Sequence, residues 1–356
     1  MEKDMNEHSL SFLKNMLTIP GPSGDEMQVS RFWRQEAETF ADKVYADVRG
    51  NSFAVLEGGS PRVLLTGHID EIGIMVSHID DEGFLWFHPI GGWDTQILVG
   101  QRIRLVGKHG ELVGVVGKKP IHLLEDDEKS KASKIKELWI DIGVTSKRDA
   151  EDLVRVGTIG VVDAPVLEFP HGRLVSRGID DRIGAFTILE VLRLLSQERP
   201  QATVAAVATC QEEIGAAGAQ VSAYSVDPQV AIVVDVTFCT DHPDSNKRQD
   251  GDIHLGSGPV LVRGSANSPV LYDMLMAIAN EHNIPYSVEI APGRTGTDAD
   301  SIHVSRNGVA TACVSIPNRY IHSPNEMIEL RDVENAATLI ACFVRSLTAD
   351  VDFIPK

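Results

Sequence analysis

At 356 residues, with 43% apolar and 24% charged side chains, the chain has an ordinary globular composition and enough length to bury a large core in two domains. A formal net charge of −18 argues against nucleic acid or an anionic membrane surface as a partner. No apolar run approaches the ~20 residues of a membrane span, and Met1 to His8 is too polar to read as a secretory signal. Cys210, Cys239, Cys313 and Cys342 mostly sit in apolar runs without CxxC spacing, the pattern of buried thiols in a reducing cytoplasm.

Leu10, Leu13 and Leu17 share one face of a first helix, which Ile19-Pro20-Gly21-Pro22 breaks. Ser23-Gly24-Asp25-Glu26 has the spacing of a capping box and predicts a second helix running to Phe40. Val44 to Glu57, turning at Gly50-Asn51, reads as a hairpin, and an apolar strand from Val63 to Leu65 leads into Gly67-His68-Ile69-Asp70. From about Glu71 to Val162, short apolar runs alternate with turn clusters such as Asp80-Asp81-Glu82-Gly83 and Gly107-Lys108-His109-Gly110. That pattern predicts a small β-barrel or sandwich, with a short helix near Lys147 to Leu153 and a solvated charged loop from Glu125 to Glu137. After Pro165, helices are predicted from Ile183 to Ser196, from Ser268-Pro269 to His282 and from Asp332 to Leu347. Strands fall near Thr203, Val230, Tyr286 and Ala310. The plan is an α/β domain interrupted after His68 by a β-rich insertion that overhangs the segments flanking it, His68 and Asp180.

Acids and imidazoles collect where the apolar strands stop. Thr203 to Thr209 runs into Cys210-Gln211-Glu212-Glu213-Ile214-Gly215, Val63 to Leu65 into His68 and Asp70, Val230 to Val234 into Asp235, and Ser315-Ile316-Pro317 toward His322, while Gly178-Ile179 precedes Asp180-Asp181. In open α/β sheets that edge is where ligands bind. Singly, each residue has an ordinary reading: satisfied histidines at His68 and His322, helix N-caps at Asp180-Asp181, a turn cap at Asp235, a solvated loop at Glu212-Glu213. Jointly they have the make-up of a two-metal hydrolytic centre, which takes roughly five mixed imidazole and carboxylate ligands plus one free carboxylate base. Adjacent glutamates cannot easily hold one ion, so Glu212 and Glu213 divide into a base and a ligand. Asp70 is placed to accept the other ring N–H of His68. Of the remaining candidates, Cys210 reads as a core thiol, His242, His254 and His303 as structural, and Gly256-Ser257-Gly258-Pro259 as a tight turn. The loop from Gly293 to Asp298 reads equally as a substrate side-chain pocket or as a connection.

Taken together, Gly67-His68-Ile69-Asp70, Gly178-Ile179-Asp180-Asp181-Arg182, Gln211-Glu212-Glu213-Ile214-Gly215, Asp235-Val236-Thr237, Gly296-Thr297-Asp298-Ala299 and Arg319-Tyr320-Ile321-His322-Ser323-Pro324 look like the signatures of the tetrahedral aminopeptidases. The chain resembles that family, which takes in glutamyl and deblocking aminopeptidases and some proteins labelled endoglucanases, over essentially its whole length. The resemblance implies a three-layer α/β/α metallopeptidase domain, residues 1–70 and 164–356, with an inserted β-barrel dimerisation domain, residues 71–163. It also implies a cytoplasmic aminopeptidase that acts on peptides with two divalent ions per subunit, zinc or cobalt. By the same resemblance His68 and Asp235 hold one metal, Glu213 and His322 the other, and Asp180 bridges them; Glu212 is the general base and Asp70 supports His68. A cis Asp180–Asp181 peptide and dimers assembling to a hollow dodecamer complete the expectation. The rival readings are another amide hydrolase on this site, a carboxypeptidase or deacylase anchored by Arg294 or Arg319; an endoglucanase-type glycoside hydrolase, for which 6% aromatic residues is sparse; and a metal-stabilised scaffold without activity.

Overall fold

Residues 5–127 and 129–356 are described by a computed structural model, so residues 1–4 of the polar amino terminus and Glu128 of the charged loop lie outside the described residues. The strands Ala202–Thr209, Gly59–His68, Val230–Phe238 and Ala310–Asn318 lie side by side and parallel. Their side chains alternate between two cores. Val63, Leu65, Val204, Ala206, Val230 and Ile232 face one, while Leu64, Val207, Ala231 and Val233 face the other. A parallel strand covered on both faces carries a continuous apolar run, which is why these segments are legible in the sequence.

The hairpin Lys43–Ala46 and Ser52–Leu56 extends one side of this sheet, and Val260–Gly264 with Ser287–Ala291 extends the other, making eight strands. The first core packs beneath the helices Glu7–Thr18, Met27–Ala37, Ile179–Gln197, Pro269–Glu281 and Leu330–Ser346. Ala217–Val226 and the short Ala299–Ile302 helix cover the second. The result is the three-layer α/β/α arrangement. Between Gly73 and Val162, six strands close into a barrel around Ile74, Leu85, Phe87, Ile103, Leu105 and Ile140, which decides the alternative of barrel or sandwich. Ser146 caps the Lys147–Leu153 helix, and Ser268 accepts from Leu271 N–H at the start of Pro269–Glu281.

Three local expectations are corrected. The second helix stops at Ala37 rather than Phe40, and Glu26 makes no side-chain bond to that helix end. The strand from Val230 does not stop before Asp235 but runs on to Phe238, because Val236-Thr237-Phe238 continue the pairing with Ile316, Pro317 and Asn318. The helix expected from Ile183 begins at Ile179, with Asp180 and Asp181 in non-helical conformations.

The chain passes from sheet to barrel at Glu71, whose buried carboxylate meets two buried guanidinium groups, Arg177 and Arg182. Arg182 also donates to the carbonyls of Met16, Ile19 and Ile69. One ion cluster therefore fixes the end of the first helix, the entry to the barrel and the turn before Asp180. Removing one partner from such a cluster leaves buried charge uncompensated. Glu71→Ala is expected to lower the unfolding free energy in urea by about 3–5 kcal/mol; a loss below about 1 kcal/mol would show that the arginines find other partners.

Candidate metal centre

Parallel strands end at a common edge, so residues far apart in sequence meet just beyond them. His68 closes its strand, Glu212 and Glu213 follow Ala202–Thr209, Asp235 stands within Val230–Phe238, and His322 lies in the loop after Ala310–Asn318. Asp180 enters from the head of the Ile179–Gln197 helix, and its peptide bond to Asp181 is cis. His68, Asp180, Glu212, Glu213, Asp235 and His322 all line one cavity of about 380 Å³. The barrel overhangs it: a Cβ added to Gly91 would come within 3.2 Å of Glu213 Oε2, and one added to Gly92 within 3.3 Å of His322 Nδ1.

Asp180 turns one oxygen to each imidazole, with Oδ1 at 3.2 Å from His68 Nε2 and Oδ2 at 3.4 Å from His322 Nε2. Glu213 Oε1 lies 3.4 Å from the same His322 nitrogen. Metal–ligand bonds of ~2.0–2.1 Å in a tetrahedral shell place neighbouring donor atoms roughly 3.3 Å apart, so these are the spacings of donors that share an ion. Donor atoms of His68, Asp180 and Glu213 lie within 4.8 Å of one another, as do those of His68, Asp181 and Asp235. In the second group Asp181 is already engaged, accepting from the N–H of His68 and of Gly184, each at 3.0 Å. It braces His68 from behind.

No lysine or arginine lines the cavity among the described residues. Burial pushes the Glu212 carboxyl up to about 8, against the attraction of His68 and with repulsion from Asp298, Glu213 and Asp70. Burial also raises Glu213 and Asp235, and the Asp180 charge adds to both. Asp180 moves the other way, since its bonds to His322 and His68 outweigh burial and hold it below the usual carboxylate range. Burial disfavours charge on His68, yet Asp180 and Asp70 keep its pKa well above the ordinary value; Asp180 and Glu213 push His322 up to about 11. Acids driven toward protonation beside imidazoles pulled toward charge mark a site short of positive charge. Imidazole nitrogens and carboxylate oxygens at these spacings fit a divalent metal ion.

Behind these residues stands a set of buried acids. His68 Nδ1 lies 3.2 Å from the Asp70 carbonyl and 3.4 Å from its Oδ1, an arrangement that leaves Nε2 facing the cavity. The Asp70 carboxylate also accepts from Glu212 N–H at 3.1 Å, Glu213 N–H at 3.2 Å and Ser23 Oγ at 2.6 Å. The predicted capping box is thereby undone. Ser23 serves Asp70, while Glu26 accepts from Gly24 and Gln211 N–H at 2.7 and 3.2 Å. A buried carboxylate without donors costs more than a helix start left to water. Glu326 escaped the sequence reading altogether. It accepts from Asp180 N–H at 3.0 Å and from His322 N–H at 2.9 Å, and its only signal was an acid in a short turn after His322.

From the loop of Gly293 to Asp298, Thr295, Gly296 and Thr297 line the cavity, so it forms part of the pocket wall. Arg294 does not line it, and Arg319 is held outside by Asp241 at 2.6 Å. Phe238 is the one Phe, Tyr or Trp ring among the described lining residues. Cys210 is a buried free thiol whose pKa burial pushes up to about 12, consistent with a core position.

Residues 50–339 match the family described as M42 glutamyl aminopeptidase. A lysyl aminopeptidase of Pyrococcus furiosus is 37% identical over 347 residues, spanning 96% of this chain and 98% of that protein. The crystal structure of a TET aminopeptidase from a marine-sediment thaumarchaeon superposes with a TM-score of 0.92 at 35% identity, covering 96% of this chain and 97% of that one. The TET1 peptidase of Pyrococcus horikoshii, which can assemble into a tetrahedron or a large octahedral shell, gives a TM-score of 0.85 at 30% identity over 95% of this chain and 100% of that one. The chain is thus an aminopeptidase and belongs to the peptidase M42 family.

Proposed function

We propose that the chain removes amino-terminal residues from peptides at a dinuclear centre, with His68 and Asp235 holding one divalent ion, Glu213 and His322 the other, and Asp180 shared between them. The Asp180 carboxylate carries this reading, because its two oxygens face two different imidazoles at 3.2 and 3.4 Å. Zinc or cobalt suits such mixed nitrogen and oxygen donors. When bound, the ions supply Lewis acidity, making water more acidic and polarising the scissile carbonyl.

Glu212 is the proton carrier in this scheme. Its Oε2 stands 3.8 Å from His68 Nε2, beyond hydrogen-bonding reach, so the carboxylate is free to take a proton from the attacking water. It then returns that proton to the departing amine. Asp70 holds the Glu212 and Glu213 backbone against His68, which keeps base and ligand in register. Glu326 does the same for Asp180 and His322.

Residues 71–163 are read as an inserted domain that pairs two subunits, and residues 1–70 with 164–356 as the catalytic domain. In support, Met75, Val113 and Val115 remain 41–50% exposed on the barrel strands, and the TET1 relative assembles into shells. A dodecamer built from such dimers would admit short or unfolded peptides. The cysteines are free, which suits a reducing cytoplasm, and no helix among the described residues is long and apolar enough to cross a membrane.

Glu212→Gln keeps the side-chain shape and is expected to retain bound metal while lowering kcat on aminoacyl-p-nitroanilides by about 10²–10⁴. The assay uses metal-stripped protein reloaded with zinc or cobalt, and turnover within tenfold of wild type would remove Glu212 from the mechanism. His322→Ala should lower the metal content, measured by mass spectrometry, from two ions per subunit toward one; two retained ions contradict the ligand set. Val113→Glu combined with Val115→Glu should shift the light-scattering mass below that of the wild-type assembly, and an unchanged oligomer would place the pairing interface elsewhere.

A further inference from the structure

The cavity extends past the metal ligands to a carboxylate that the proposed hydrolysis does not use. Glu289, on the edge strand Ser287–Ala291, lines the same cavity together with Thr237, Phe238, Val262 and Ile321. Asp235 and Thr237 are alternate residues of one strand, so their side chains share a face of the sheet roughly 7 Å apart. Thr237 Oγ1 donates to Glu289 Oε2 at 2.6 Å. Glu289 therefore lies one strand step beyond Asp235, about the span of a long side chain from its own Cα. It also borders the neighbouring cavity, which shares Thr237, Phe238 and Glu289, so it stands where the first one ends.

Its surroundings single it out. Asp180 and Glu213 face imidazoles, and Asp235 and Glu212 lie in the field of His68. Glu289 is mostly buried yet has the neutral Thr237 hydroxyl as its one side-chain partner among the described residues, with no ion pair. Burial raises its pKa, with only the Thr237 bond opposing. Phe238, Val262 and Ile321 supply apolar wall. An apolar wall ending in an unpaired carboxylate complements an alkyl stem with a cationic tip. It repels an acidic side chain, and an aliphatic one would dehydrate the carboxylate without replacing its lost partners.

We propose that Glu289 determines the substrate class by selecting peptides whose amino-terminal side chain is lysine or arginine. The proposal rests on the aminopeptidase reading of this cavity but not on the identity of the ions. Turnover of Lys-, Arg-, Leu- and Glu-p-nitroanilides by the metal-loaded wild-type enzyme should show kcat/KM for Lys and Arg above that for Leu by at least about tenfold, with Glu slowest. Glu289→Gln should reduce the Lys-to-Leu ratio of kcat/KM by roughly 10- to 100-fold, and Glu289→Asp, which keeps the charge, should preserve most of it. Thermal midpoint and metal content, measured on both variants, separate this effect from misfolding. A wild-type preference for Leu or Glu, or a Glu289→Gln loss equal on every substrate, overturns the assignment and leaves the aminopeptidase reading standing. Silence on all four anilides overturns both.

Discussion

Buried negative charge at the ends of the central strands is the constraint on which the rest of this structure depends. Like carboxylates in a low-dielectric setting repel strongly and lose hydration. The fold holds them in place with backbone N–H groups and leaves much of their charge to the neighbouring imidazoles. The arrangement has two tiers. Asp181 accepts from the N–H of His68, Glu326 from those of Asp180 and His322, and Asp70 from those of Glu212 and Glu213. Buried acids behind the cavity thus fix the backbone of the residues that line it. The N–H partners in these bonds are backbone groups, which no side-chain substitution removes, and Asp70 adds the side chains of Ser23 and His68.

Topology makes this possible. Parallel strands bring His68, the Glu212-Glu213 segment and the loop of His322 to one edge, and the Ile179–Gln197 helix delivers Asp180 from the side. The barrel is spliced into the chain between two of these contributions, after His68 and before Asp180. Glu71, clamped by Arg177 and Arg182, holds that junction and sets the approach of the barrel loop at Gly91 and Gly92 to Glu213 and His322. A barrel with its own core can therefore overhang the cavity without supplying any of the seven acids and imidazoles that line it.

Within the cavity, chemistry and selection come from different parts of the sheet. The acids and imidazoles sit at or beside the central parallel strands, whereas Glu289 belongs to the edge strand Ser287–Ala291. Edge strands tolerate change more readily than strands packed on both faces, because fewer neighbours must repack. Side-chain preference can then vary without disturbing the charged centre, and the Thr237 hydroxyl is the side-chain bond that ties the two.

Much of this was legible in the sequence. Strands packed on both faces appear as unbroken apolar runs, and the barrel region appears as short runs between turns, because burial leaves a local periodic trace. Acids and histidines just past such runs marked the cavity for the same reason: the edge of an open sheet follows from where its strands stop. Other features needed the tertiary structure. Ser23 had the spacing of a helix cap and instead serves Asp70; Asp181 read as a helix cap and instead accepts from His68 N–H; Glu326 and Glu289 were not singled out. Barrel closure and the run of Val230–Phe238 past Asp235 were likewise settled by pairing between distant segments. A residue's own burial is written in its neighbours along the chain, but the partner of a buried charge is a long-range contact that only the folded topology chooses.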